Sequence, residues 1–201
     1  FSNDNDKLKR EVEEAGICFM HAPLFHPALK TVAPIRKNLG MRTFFNMLGP
    51  MVNPANPVYQ LVGVFNLEMA RIYNYLLQQT EKAFTIIHSL DGYDEISLTN
   101  DTKVITNKGE SVKTPEQLGK RMVLQTDIQG GATVEESAKL FTKIISGEGT
   151  WAQNAVVLSN AAMGLYCTGN YTSYDEAYNA AVESLESGRA GEVLKKLIAA
   201  P

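Results

Sequence analysis

Two short apolar runs separated by an amphipathic helix constrain the fold of this chain more than any other feature. Residues 59–65 (YQLVGVF) and 84–90 (FTIIHSL) have the β-branched and aromatic content of buried strands. Between them, Asn66 is a suitable N-cap for a helix over residues 67–79. The inward stripe of that helix would be Met69, Ile72, Tyr73, Leu76 and Leu77. A strand–helix–strand unit favours parallel pairing with a right-handed crossover, so we expect an α/β fold.

Further segments extend the predicted sheet. Residues 16–22 (GICFMHA) form a short apolar run that we interpret as a strand, although its length also permits a helix end. Residues 95–110 alternate in polarity and turn near Asn100 and Asp101, as an antiparallel hairpin does. These runs predict a mixed, mainly parallel sheet flanked by helices.

The last third of the sequence is predicted to be helical. Thr133 and Ser173 each stand three residues before a glutamate, which is capping-box spacing at the start of a helix. A mostly apolar helix over residues 151–166 would pack against the sheet, and a final helix near residues 192–200 would close the domain.

Composition excludes several classes of function. The net charge is -3, and no basic run is interleaved with aromatic residues, so we expect no nucleic-acid partner. No apolar run approaches the roughly 18 residues that a membrane helix needs, so we expect a soluble, cytoplasmic protein. Cys18 and Cys167 lie far apart without metal-ligand spacing, and we expect two buried free thiols.

An arginine lies on the apolar stripe of a helix that Pro27 would begin and Gly40 would end. At helical spacing one face carries Leu29, Val32, Ala33, Arg36 and Gly40. A guanidinium on a core-facing surface is costly without an anion, so Arg36 suggests a carboxylate or phosphate ligand. From the pattern alone, an internal ion pair or a side chain that reaches water is the commoner explanation.

The sequence around this helix is distinctive. HPALKTVAPIR followed by LGMRTFFNMLGPMVNP, within residues 26–54, resembles the central segment of the anthranilate phosphoribosyltransferases. The resemblance continues through residues 59–65 and 91–97 (DGYDEIS). It implies transfer of the phosphoribosyl group of phosphoribosyl pyrophosphate to the amine of anthranilate, with release of pyrophosphate, in tryptophan biosynthesis. The family's GTGGD loop and the phosphate-binding segment after it are absent from this sequence, so we expect the C-terminal portion of a longer enzyme.

The resemblance also implies positions for the aromatic substrate. Arg36 would face the carboxylate of anthranilate, for which the fork of a guanidinium group is suited. His26 and a Gly49–Pro50 turn would lie along the access path of this substrate. A histidine before a proline can instead simply cap the start of a helix. No side chain is assigned as a catalytic nucleophile, because the amine displaces pyrophosphate directly.

An acidic loop, residues 91–95 (DGYDE), follows the second buried run, at the carboxyl end of a strand where open α/β sheets bind ligands. By residue type alone a solvated turn is the more frequent explanation. The resemblance implies that Asp94 and Glu95 bind Mg²⁺ together with a serine of the N-terminal lobe, and carboxylates are suitable ligands for this ion. Asp91 is not assigned to the metal.

The resemblance implies a domain organisation and partners. Residues 1–25 would form a leading segment with the first strand, and residues 58–201 the α/β phosphoribosyltransferase lobe. Residues 26–57 would contribute helices that pack with an otherwise missing N-terminal helical lobe. The complete enzyme would pair as a homodimer, and this portion alone would be inactive because most of the phosphate site is elsewhere.

Two alternatives stay open. A nucleoside phosphorylase or a phosphoribosyltransferase homologue with another acceptor would share the scaffold. A non-catalytic binding domain descended from such an enzyme would share the sequence without the activity.

Overall fold

The computed structural model describes residues 2–27 and 45–200, with the backbone alone at residues 45–47. Arg36 and most of the helix predicted around it lie outside the described residues. The chain divides into two compact units. One comprises Phe1–Pro57 with Glu192–Pro201, and the other comprises Val58–Gly191.

A four-stranded sheet forms the centre of the Val58–Gly191 unit. Its strands, in both chain order and spatial order, are β1 (Tyr59–Gly63), β2 (Ala83–Ser89), β3 (Thr102–Thr106) and β4 (Gly109–Lys113). β1 pairs with β2 in parallel, whereas β2–β3 and β3–β4 are antiparallel. The mixed α/β class is therefore confirmed. Parallel pairing does not predominate among the described strands, because the β3–β4 hairpin contributes antiparallel neighbours.

Helices account for most of the remaining described chain. The first unit contains α1 (Asn5–Ala15), α2 (Ala22–Phe25) and α3 (Phe45–Met51). The second contains α4 (Leu67–Leu77), α5 (Val134–Ile145), α6 (Trp151–Cys167) and α7 (Tyr174–Glu186), and α8 (Arg189–Ala199) follows. No helix among the described residues is long and apolar enough to cross a membrane.

The predicted strand–helix–strand unit is confirmed as β1–α4–β2. The Asn66 side chain caps α4 by accepting a hydrogen bond from the backbone N–H of Met69 at 2.8 Å. β2 is buried along almost its whole length. β1 instead alternates, with Gln60 and Val62 buried and Tyr59 exposed, because successive side chains point to opposite faces of the sheet and only one face is well covered at this strand.

The hairpin lies further along the chain than predicted. Residues 95–101 are not a strand, and the chain turns at Asn107 and Lys108 between β3 and β4 rather than at Asn100 and Asp101. Gly109 has a φ of 142°, a conformation that a side chain strongly disfavours, so the Asn-Lys-Gly sequence carries the turn.

The strand predicted at residues 16–22 is wrong. Gly16 ends α1 in the left-handed conformation, with its N–H bonded to the carbonyl of Val12, and Pro23 lies in the first turn of α2. Residues 17–21 between these two ends form neither helix nor strand. A strand needs a neighbour, and none of the four described strands pairs with this segment.

The sheet and α6 enclose one hydrophobic core of the second unit. This core consists of Ile87, Ile96, Leu98, Val104, Leu118, Val123, Ala152, Ala155 and Met163. The predicted caps are confirmed, since the hydroxyls of Thr133 and Ser173 accept backbone N–H bonds from Glu136 and Glu176. Both cysteines are free as expected, but each is half-buried rather than buried.

Candidate functional site

β2 ends at Ser89 and enters a tightly turned loop before β3. The backbone N–H of Ser89 bonds to the carbonyl of Tyr93 at 3.0 Å, and that of Gly92 bonds to the carbonyl of Ser89 at 2.9 Å. Gly92 has a φ of 103°, which glycine adopts at no steric cost. The turn places the acidic loop directly at the carboxyl end of a strand that has a parallel neighbour, as predicted.

The Ser89 side chain fixes the far side of this loop. Its hydroxyl is completely buried, donates to the carbonyl of Glu95 at 2.6 Å and accepts from the N–H of Ser97 at 3.2 Å. Because this buried hydroxyl both donates and accepts a hydrogen bond, it holds the backbone from Glu95 to Ser97 in one position. Nothing in the sequence distinguished Ser89 from other serines, because its partners become neighbours only in the folded loop.

Asp91 has a structural partner within the loop. The Thr99 hydroxyl donates to Asp91 Oδ2 and lies 2.8 Å from the hydroxyl of Ser97. A charge-assisted hydrogen bond of this kind is stronger than a neutral one. This hydrogen bond closes the loop, because it joins Asp91 to Thr99, eight positions later.

Gly63, the last residue of β1, lies directly against the backbone of Asp94. A Cβ at this position would overlap the carbonyl oxygen of Asp94 and come within 2.8 Å of its carbonyl carbon. Only glycine allows two backbones to approach this closely. A glycine inside an apolar strand is the signal that sequence reasoning missed here.

The side chains of Asp94 and Glu95 are exposed, in contrast to the buried groups that hold their backbone. Partial burial raises the pKa of the Glu95 carboxyl group above its ordinary value, and the negative charge of Asp94 makes a smaller contribution in the same direction. Neither carboxylate takes part in the ion pairs found among the described residues. Two adjacent negative charges that have no cationic partner within the described part of the chain are an electrostatic environment that a divalent cation stabilises.

The acidic loop can supply some, but not all, of the ligands that Mg²⁺ needs. Within residues 2–27 and 45–200, no three His, Cys, Asp or Glu side chains converge on one metal position. Mg²⁺ usually takes one or two carboxylates and completes its octahedron with waters and substrate phosphates. Asp94 and Glu95 match that partial set.

His26 has a backbone partner within the first unit. Its Nε2 lies 2.6 Å from the carbonyl oxygen of Val52, so the ring donates Nε2–H, and the side chain is half-buried. This bond joins the two ends of the segment between residues 26 and 52. A structural role for His26 is thus visible, and its role toward a substrate stays a prediction.

Gly49 and Pro50 do not form the predicted turn. Both lie in α3, with Pro50 inside the helix and close to its end at Met51. Proline has a backbone φ compatible with a helix, but it donates no N–H bond and its ring crowds the carbonyl four residues earlier, so its place inside α3 is unfavourable for a regular helix. Asp94 and Glu95 belong to the Val58–Gly191 unit, and His26, Gly49 and Pro50 belong to the other.

The fold and the acidic loop define an α/β domain with two exposed carboxylates at the carboxyl end of a parallel strand, the position where open α/β sheets bind ligands. Residues 1–191 match the model of the glycosyl transferase family, a/b domain, and the chain belongs to this family. It is similar to the anthranilate phosphoribosyltransferase of Flavobacterium psychrophilum, with 58% identity over 98% of this chain and 59% of that protein. The enzyme of the same name from Bacteroides thetaiotaomicron is 51% identical over 98% of this chain and 60% of that protein.

Solved structures show the same relationship. The crystal structure of anthranilate phosphoribosyltransferase from Thermus thermophilus matches 96% of this chain and 58% of that chain, with a TM-score of 0.88 and 34% identity. The Saccharomyces cerevisiae enzyme in complex with phosphoribosyl pyrophosphate and Mg matches 89% of this chain and 51% of that chain, with a TM-score of 0.80 and 25% identity. These similarities confirm the resemblance found in the sequence. The chain spans less than two thirds of each relative.

Proposed function

We propose that the full-length protein transfers the phosphoribosyl group of phosphoribosyl pyrophosphate to the amine of anthranilate, releasing pyrophosphate, in tryptophan biosynthesis. The observation that supports this most directly is the Asp94–Glu95 pair, exposed on a fixed loop at the carboxyl end of β2. The relative from F. psychrophilum supports the acceptor, because it is 58% identical and carries that enzyme's name.

In this proposal the chain binds and orients rather than reacting covalently. Asp94 and Glu95 hold Mg²⁺, which when bound neutralises the charge of the departing pyrophosphate. Arg36 anchors the carboxylate of anthranilate and so presents its amine to the ribose carbon, while His26, Gly49 and Pro50 border the path of this substrate. Most of the rate acceleration would then come from orientation and electrostatics.

The remaining parts of the proposal concern the whole protein. Residues 26–57 pack with an N-terminal helical lobe, the enzyme is a cytoplasmic homodimer that pairs through this lobe, and that lobe supplies the glycine-rich phosphate loop and a serine ligand. The family resemblance supports each of these points.

An acceptor competition on the full-length protein tests the proposed function. With phosphoribosyl pyrophosphate and Mg²⁺ present, anthranilate should be consumed with equimolar release of pyrophosphate, and nucleobases should not react. Consumption of a nucleobase in place of anthranilate would favour the alternative of a phosphoribosyltransferase homologue with another acceptor. Binding of anthranilate without turnover would favour the non-catalytic alternative.

Arg36→Ala in the full-length protein should raise the KM for anthranilate about 10- to 100-fold, the loss expected for a charge-assisted bidentate contact. The KM for phosphoribosyl pyrophosphate should stay within about twofold. Steady-state kinetics with each substrate varied in turn measures both values. Arg36→Lys is the matched control, because lysine keeps the positive charge but lacks the two parallel N–H donors of the guanidinium group. Its KM for anthranilate should lie between those of the unmodified protein and Arg36→Ala. Equal losses for both substrates would contradict the assigned role.

The 201-residue stretch alone should form no phosphoribosylanthranilate, because most of the proposed phosphate site lies in the other lobe. Anthranilate fluorescence in the presence of Mg²⁺ and phosphoribosyl pyrophosphate measures turnover directly. Phosphoribosylanthranilate formed by the purified stretch above the rate without protein would refute this prediction.

A further inference from the structure

Asn160, on α6, makes a two-sided contact with the loop that carries the proposed metal ligands. Its Oδ1 accepts the backbone N–H of Ile96 at 2.9 Å, and its Nδ2 donates to the carbonyl of the same residue at 2.9 Å. The second Nδ2 hydrogen reaches the carbonyl of Val156, also at 2.9 Å, within the helix. Both amide donors are therefore used, and the side-chain orientation is fixed.

Ile96 follows Glu95 directly and is completely buried, with no exposed surface. Residues 95–99 belong to no strand, so no sheet neighbour is available to pair the N–H and carbonyl of Ile96. The Asn160 amide takes that place and makes the same pair of bonds that a strand neighbour would make. Buried backbone groups that lose their partners are costly, so this contact determines where Ile96 lies.

Three elements therefore hold the backbone of the acidic pair from different sides. β2 holds the carbonyl of Glu95 through Ser89, β1 lies against the carbonyl of Asp94 through Gly63, and α6 holds Ile96 through Asn160. The two carboxylates themselves stay exposed. A rigid backbone that presents free side chains is the arrangement that a ligand site requires.

We propose that Asn160 is a positioning residue for magnesium binding, and that it acts through the backbone of Ile96 on Asp94 and Glu95. This inference rests on the proposed function, which assigns Mg²⁺ to that pair. Asn160 touches neither the metal nor a substrate in this proposal. If its amide only attached α6 to the loop, its loss would lower stability without altering cation affinity.

The test measures binding of Mn²⁺, as a paramagnetic probe for Mg²⁺, to full-length protein that holds phosphoribosyl pyrophosphate, by electron paramagnetic resonance. Asn160→Ala should raise the Mn²⁺ dissociation constant at least tenfold and speed hydrogen exchange of the Ile96 amide. Asn160→Ser is the second variant, because its hydroxyl can bond to the carbonyl of Val156 but is too short to bridge to Ile96. It should show the same loss of cation affinity with less destabilisation.

Asn154→Ala is the matched control. Asn154 lies on the same helix and donates to the carbonyl of Gly149 at 3.4 Å, away from the acidic loop. This variant removes one long hydrogen bond and a buried amide oxygen that has no hydrogen-bond partner among the described residues, so the melting temperature should change little. It should leave the Mn²⁺ dissociation constant within twofold of the unmodified protein. The KM for anthranilate should also stay within twofold in both Asn160 variants.

Asp94→Asn and Glu95→Gln separate the two levels of the proposal. If these variants weaken Mn²⁺ binding and the Asn160 variants do not, the positioning role is overturned and the metal assignment stands. If neither set weakens binding, the metal assignment within the proposed function fails. Weakened binding in the Asn160 variants alone would also overturn the proposed route through Asp94 and Glu95.

Discussion

Gly63→Ala in the full-length protein should abolish measurable phosphoribosyl transfer and lower the free energy of unfolding by about 3 kcal/mol, at the upper end for overpacking. The added methyl group would overlap the backbone carbonyl of Asp94, which no side-chain rotation can relieve. Either β1 or the acidic loop must move. Since Asp94 is one of the two proposed metal ligands, the displacement removes function together with stability.

Denaturant unfolding and turnover of anthranilate measure these two effects. Gly164→Ala is a matched control, because a Cβ there would meet only Leu61 Cδ2, at an ordinary distance of 3.7 Å. Gly164 lies inside α6, where alanine stabilises a helix by about 0.5–1 kcal/mol relative to glycine. A Gly63→Ala protein with normal stability and turnover would contradict the close approach of β1 to the loop.

Replacing the carboxylates should separate stability from metal binding. Asp94→Asn and Glu95→Gln should each raise the Mg²⁺ concentration for half-maximal turnover about tenfold or more, because each removes a negative charge from the proposed ion site. The raised pKa of Glu95 shows that the folded protein disfavours its charged form. At neutral pH, Glu95→Gln should therefore leave the free energy of unfolding unchanged or raise it.

Magnesium titrations of turnover, together with thermal unfolding, measure the two quantities. Glu110→Gln on β4 is the control, because it removes a carboxylate that pairs with Lys103 rather than one of the acidic loop. It should leave the magnesium requirement unchanged. A large loss of stability in Glu95→Gln with an unaltered magnesium requirement would contradict the role of Glu95 as a ligand.

Local signals in the sequence predicted the elements whose determinants are local. Asn66, Thr133 and Ser173 each cap the helix that follows them, and β1–α4–β2 follows from hydrophobic patterning within about thirty residues. The strand predicted at residues 16–22 was wrong, because a short apolar segment carries no information about whether a strand neighbour exists. That neighbour is a property of the whole sheet.

The shape of the acidic loop could not be predicted in this way. Residues 95–99 have the alternation of a strand, but the hydroxyl of Ser89 and the amide of Asn160 take up their backbone groups instead. Asn160 is 64 positions from Ile96, and a single sequence gives no sign that the two meet. The acidic pair itself was found because the family resemblance identified its motif.

The distance along the chain between Ile96 and Asn160 also determines how long after Ile96 its partner is translated. A ribosome that adds about 5–20 residues per second needs roughly 3–13 seconds to add the 64 residues from Ser97 to Asn160. During that interval Asn160 is not yet part of the chain, so its amide cannot pair with the backbone N–H and carbonyl of Ile96. The acidic loop, and with it the proposed metal site, can therefore reach its final shape only after α6 has been translated and has docked.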